Sequence, residues 1–139
     1  MPSRYHPIED GLWDHQRFDQ CGADLPEAPG SVRGFFAFVA SNKFQRPAGI
    51  YRATDAELAA AYRESVEFVR RTLLDLDRRG LIVRDGAWVF CPGYWERQAH
   101  NPGMVKAARY AVQSCSSKRV LESFIEHYPL HREWFPNGY

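Results

Sequence analysis

The stretch from Gly49 to Phe90 constrains this chain most: GIYRATDAELAAAYRESVEFVRRTLLDLDRRGLIVRDGAWVF. It reads as a short strand, a helix, a tight turn, a longer helix and a two-stranded hairpin. Thr54 and Glu57 form a Thr-x-x-Glu capping box, in which hydroxyl and carboxylate each satisfy a backbone N–H at a helix start. Leu58, Ala59 and Ala61 give a small-residue helix ending near Tyr62. Ser65 is the next N-cap. Val66, Val69, Leu73 and Leu76 then recur at three- and four-residue spacing as one apolar stripe, and Gly80 supplies the stop. Leu81–Arg84 and Ala87–Phe90 are β-prone runs around Asp85-Gly86, a two-residue hairpin signal. That turn predicts Arg84 facing Ala87 and Val83 facing Trp88, with Leu81, Val83, Trp88 and Phe90 on one apolar face.

This order is the layout of a winged helix-turn-helix, in which the second helix enters the DNA major groove and its early residues meet base edges. The expected partner is therefore duplex DNA. Ser65 stands at the start of that helix. On a wheel the apolar stripe centres on Val69, Leu73 and Leu76. The opposite face carries Glu67, Arg71, Leu74, Asp75 and Arg78, with Arg70 at the border. Arg71 is the base-edge candidate, since a guanidinium binds guanine in a bidentate way. Arg70, Arg78 and the wing's Arg84 suit phosphate, which positions without specifying. Glu67, Arg71 and Asp75, spaced i, i+4, i+8, also fit a solvated face laced with ion pairs. Lys43, Arg46 and Arg52 form a second basic group. Arg97, Lys106, Arg109, Lys118 and Arg119 form a third, interleaved with Tyr94, Trp95 and Tyr110; aromatics beside cations can stack on unpaired bases or serve as packing anchors.

Charge supports a local rather than a global basic surface. The net charge of the 139 residues is only +1. Residues 1–29 carry two basic and six acidic side chains, residues 30–93 ten and seven, and residues 94–139 six and four. From Arg97 to Arg119 there are five basic residues and no acidic one. The acidic N-terminal stretch and this basic run can attract each other, or the run can meet phosphate.

Elsewhere, Gly11–Gln20 reads as a short helix anchored by Trp13 and Phe18, and Asp24–Gly30 as a loop. Ser31 caps a helix whose Val32, Phe35, Phe36 and Val39 form an apolar face, ended by Asn42 and Lys43–Pro47. Past the hairpin, Cys91-Pro92-Gly93 breaks the strand and Tyr94–Gln98 makes a helical turn. Asn101-Pro102-Gly103 is a breaker, and Met104–Val112 is helical. Ser116 or Ser117 caps a last helix through Val120, Leu121, Phe124 and Ile125, which Pro129 ends. Trp134 and Phe135 suit a tail that docks.

No apolar run approaches a membrane span of about 18 residues, and the N-terminus lacks the apolar core of a signal peptide. Cys21, Cys91 and Cys115 are odd in number without paired spacing, which favours a reducing cytoplasm. The five histidines are scattered. Cys91 and His100 are the nearest Cys–His pair, short of the three or four ligands a zinc site needs. No GxSxG, Walker A, HExxH or dinucleotide glycine fingerprint occurs. The reading is of a non-enzymatic chain without metal or cofactor.

A wider ordered pattern carries a resemblance: Arg4-Tyr5, Trp13 and Phe18; Gly49-Ile50-Tyr51-Arg52; Leu76, Gly80-Leu81-Ile82, Asp85 and Ala87-Trp88-Val89; then Trp95, Gln98, Asn101-Pro102 and Val105-Lys106. It resembles, over about residues 4–128, the N-terminal domain of phage and prophage replication proteins of the replisome-organiser and DnaD-type primosomal kind. The resemblance implies a winged helix, DNA binding at an origin or primosome, and self-association or a replication-protein partner. Such proteins often carry a further C-terminal domain that engages single-stranded DNA or a helicase; this chain stops at Tyr139, so helicase recruitment is not expected to carry over. The expected fold is mainly α with a small β-hairpin: a winged helix-turn-helix with an N-terminal arm over residues 1–93, and a helical extension over 94–139 packed on it. A transcriptional regulator on the same fold is one alternative. A protein-interaction module is another, favoured by the near-zero net charge, Leu74 and Trp134.

Overall fold

The structure, a computed structural model, describes residues 29–135. The helix expected in Gly11–Gln20, Cys21 and the Arg4–Phe18 part of the resemblance lie outside the described residues. In chain order the elements are α1 (Pro29–Ser41), β1 (Ile50–Arg52), α2 (Asp55–Tyr62), α3 (Val66–Arg78), β2 (Val83–Asp85), β3 (Trp88–Phe90), α4 (Pro102–Ser114) and α5 (Lys118–His127), with 3-10 turns at Trp95–Arg97 and Pro129–Trp134. The strands form one antiparallel sheet in the order β1-β3-β2. The fold is mainly helical with a small sheet, in the element order of a winged helix-turn-helix followed by two more helices.

The chain packs as two compact units. One contains α1, α2 and α3 and runs to Leu81; the other contains residues 44–54 and 82–135. The sheet thus belongs to the same unit as α4 and α5.

In the first unit, α1 begins at Pro29, two residues before the Ser31 cap expected from sequence. Pro29 and Gly30, expected in a loop, are therefore helical, and the rest of that loop lies outside the described residues; proline is favoured at a first helical position because its missing N–H has no partner there anyway. Phe35, Phe36 and Val39 are buried. The Phe35 ring meets Tyr62 edge-on at 5.1 Å and Phe68 at 5.6 Å, so all three helices contribute to this core. Residues 63–65 form the turn between α2 and α3. Arg63 takes the left-handed conformation there at φ 62°, and Glu64 N–H donates to Ala59 O. At α3 the Ser65 hydroxyl accepts from Phe68 N–H at 3.0 Å. The helix closes with Gly80 N–H on Asp77 O and Leu81 N–H on Leu76 O, a Schellman motif.

The buried face of α3 differs from the wheel. Phe68, Val69, Thr72, Leu73, Asp75 and Leu76 are buried, whereas Val66 is 38% exposed. At 3.6 residues per turn, the buried arc is rotated by roughly 40° from Val69 toward Phe68 and Thr72. Asp75, expected outside, falls at the margin of that arc. Burial of its carboxylate is matched by Arg78, which donates to Oδ1, and Arg79, whose Nε donates to Oδ2 at 2.9 Å.

In the second unit the hairpin register is Val83↔Phe90, Arg84↔Val89 and Asp85↔Trp88. The expected Arg84–Ala87 pairing is therefore displaced: the two-residue loop is Gly86-Ala87, not Asp85-Gly86. Gly86 has φ 59°, the position a type II′ turn gives to glycine. Asp85 becomes a strand residue. Its carboxylate accepts from the Ser117 hydroxyl at 2.6 Å, while the same hydroxyl accepts from Val120 N–H at 3.0 Å and caps α5. Trp88 Nε1 donates to Ser116 Oγ at 3.0 Å, and Arg119 Nη1 donates to Arg84 O at 2.8 Å. Three successive contacts thus clamp the hairpin to the start of α5. Val83, Trp88 and Phe90 keep the shared face expected of them, because the displacement preserves strand alternation.

The core of this unit joins Ile50 and Phe90 of the sheet to Trp95, Ala108, Val112, Val120, Leu121, Phe124 and Trp134. Asn101 acts as a cap as well as a breaker. Its Oδ1 accepts from Met104 N–H at 2.9 Å, and α4 starts at Pro102. The tail docks as expected: Trp134 is buried and stacks on His131 with centroids 4.0 Å apart.

Candidate nucleic-acid interface

The helix-turn-helix presents α3 with its N-terminus fixed by the Ser65 cap. Arg70 and Arg71 are both exposed. Arg70 lies 3.5 Å from Asp55 and 3.8 Å from Glu67. Exposed pairs of this kind are worth about 0–1 kcal/mol, so phosphate can replace either carboxylate cheaply. Arg78 differs, because its guanidinium is held on the buried Asp75 carboxylate. Leu74, on the same outer side as Arg70 and Arg71, is 58% exposed. Lys43, at the end of α1, is exposed in this unit as well.

In the second unit several sequence-selected arginines serve the backbone. Arg84 Nη1 donates to Ala53 O at 2.8 Å, tying β2 to the segment after β1. Arg119 holds Arg84 O, and Arg97 Nη1 donates to Gly93 O at 3.1 Å. Tyr94 and Trp95 are buried, so their rings serve as packing anchors rather than stacking platforms. Arg109 and Lys118 are exposed on α4 and α5.

Arg46, Arg52 and Lys106 come together around one groove of about 580 Å³. Its other walls include Ile50, Tyr51, Trp88, Tyr110 and Ala111. Arg46 Nη1 is set by Phe44 O and Gln45 O at 3.0 and 3.1 Å. Tyr110 is 71% exposed. The groove was not visible in the sequence as such. Two spacings point to it in retrospect: Lys106 and Tyr110 at i, i+4, and Arg52 directly across from Trp88 in the β1–β3 register.

The buried side chains do not favour nucleophilic chemistry. Burial pushes the Cys91 thiol up to about 12, against a weaker opposing hydrogen bond from Gln45. Burial likewise raises Cys115 to about 11. Among the described residues no group of three or more His, Cys, Asp or Glu is placed to hold a metal ion. No helix among them is long and apolar enough to cross a membrane.

No protein-family model matches this chain, and neither a curated protein nor a solved structure matches it.

Proposed function

We propose that this chain is a cytoplasmic DNA-binding winged-helix module that acts in replication initiation, as its resemblance to phage replication proteins implies. The observation that carries the reading is the α2–α3 pair: a three-residue turn, a Ser65-capped second helix, and Arg70 and Arg71 exposed on its outer side. An early arginine on such a helix can read guanine, while its neighbour neutralises phosphate. Arg109 and Lys118 supply further phosphate contacts.

Titration of labelled duplex at low and moderate salt tests this. Binding should weaken as salt rises, because phosphate contacts release counterions. Arg71→Ala should relax sequence preference, whereas Arg109→Ala with Lys118→Ala should lower affinity uniformly and flatten the salt slope. Absence of binding at both salt concentrations rejects the proposal. A transcriptional role on the same fold would instead give a symmetric promoter footprint.

Exposed Leu74 favours a second reading, in which the outer side of α3 meets a protein. Self-association or a partner that survives nuclease and high salt, and is lost in Leu74→Ser, would support it.

A further inference from the structure

The groove beside β1 has a composition that a solvated surface does not need. β1 is an edge strand, and the groove runs between it and α4. Ile50 and Ala111 are buried and form its apolar floor, while the rings of Trp88 and Tyr110 stand at its sides. Arg46, Arg52 and Lys106 are its charged residues, and among the described residues no Asp or Glu lines it. The Arg52 and Lys106 side chains make no ion pair or hydrogen bond among the described residues. The Trp88 ring is held by its bond to Ser116 Oγ, so this wall is preformed.

Each component selects a ligand property. A volume of about 580 Å³ lies within the range of small-molecule sites and admits no double helix. Three cations without a carboxylate match a dianion better than a single carboxylate, since each can donate to a separate phosphate oxygen. Aromatic walls over an apolar floor favour a flat ring over an alkyl chain.

We propose that this groove binds a nucleoside monophosphate, with the phosphate on Arg46, Arg52 and Lys106 and the base against Trp88 and Tyr110. The site is distinct from the outer side of α3, so its failure leaves the duplex-binding reading standing, and the reverse also holds.

Calorimetry on the full chain with AMP, GMP, CMP and dTMP tests the assignment, with adenosine, inorganic phosphate and dodecyl phosphate as comparators. At least one nucleotide should saturate a single site. Adenosine and inorganic phosphate should each bind at least about tenfold more weakly, since each lacks half of the contacts. Arg52→Ala and Lys106→Ala should each weaken the nucleotide about tenfold. Tyr110→Ser should weaken it by a similar factor through lost stacking. All three side chains are exposed, and circular dichroism of each variant verifies that the fold is kept. Three results would overturn the proposal: no saturable nucleotide binding at millimolar concentration, tighter binding of dodecyl phosphate that Tyr110→Ser leaves unchanged, or an oligothymidylate that binds while every mononucleotide is silent.

Discussion

The Ser117 hydroxyl donates to the Asp85 carboxylate at 2.6 Å and accepts from Val120 N–H at 3.0 Å. One side chain therefore caps α5 and anchors the end of β2. Ser117→Ala removes both contacts and should cost about 1–2 kcal/mol in urea unfolding. Ser117→Asp would keep a capping acceptor but set two carboxylates against each other, so it should not restore stability. Recovery to the parent value in Ser117→Asp would show that capping alone matters.

Asp75 is 2% exposed and holds two arginines of unequal burial: the Arg79 side chain is 19% exposed and that of Arg78 74%. Losing Arg79 should be the more damaging, because its partner charge sits in a drier pair. Arg79→Ala, which takes the drier partner from the buried Asp75 carboxylate, should destabilise by up to about 3 kcal/mol, and Arg78→Ala by under about 1 kcal/mol. Equal losses for Arg78→Ala and Arg79→Ala in matched denaturation curves would contradict this ordering.

How far the fold was legible follows from how local each signal was. The Ser65 cap and the Leu76–Gly80–Leu81 stop were readable because their hydrogen bonds close within a few residues. The hairpin register was not. Asp85-Gly86 fits either the centre of a type I′ turn or a Gly86-first type II′ turn, and Asp85 is drawn into the strand by Ser117, far along the chain. Asp75 carried a readable clue in Arg78 and Arg79 at i+3 and i+4, but an apolar wheel does not weigh a carboxylate that brings its own partners. For the candidate site, composition marked the basic residues without showing which ones brace the backbone. Arg84 and Arg119 do so, whereas Arg52 and Lys106 come together only through β1–α4 packing.

Arg63 occupies φ 62° in the turn between α2 and α3. A side chain in the left-handed region costs roughly 1–2 kcal/mol, offset in part by the greater chain entropy glycine loses on folding. Arg63→Gly should therefore stabilise the protein, by about 0.5–1 kcal/mol. An unchanged or lower denaturation midpoint would show that the arginine contributes contacts of equal value.

Gly49 presents the opposite case. Its φ is 80°, and a Cβ there would lie 2.8 Å from Cys91 O and 3.1 Å from Tyr94 Cβ. Both its backbone groups are engaged, N–H with Arg46 O and C=O with Cys91 N–H, each at 2.8 Å. Gly49→Ala combines backbone strain of roughly 1–3 kcal/mol with a collision against main chain that cannot swing away. Gly86→Ala, at φ 59° with no atom within 4 Å of the added carbon, should suffer the backbone cost alone. Thermal unfolding should therefore rank Gly49→Ala well below Gly86→Ala.

The last contact is sensitive to acid. Trp95 Nε1 donates to His131 Nε2 at 3.3 Å, which requires a lone pair on that nitrogen and hence a neutral imidazole. Burial, and then the neighbouring His100, lower the His131 pKa from its ordinary 6.5, against a smaller opposing effect of Glu133. The sign follows directly. An unfolded chain binds the proton more readily than the folded one, so the stabilisation is complete above 6.5 and is lost as pH falls below it through the depressed folded value. Urea midpoints should therefore drop between about pH 7.5 and about pH 5. His131→Gln offers the indole a carbonyl acceptor that does not titrate, so it should reduce that drop. A variant that loses as much stability over the same interval as the parent would remove His131 as the source.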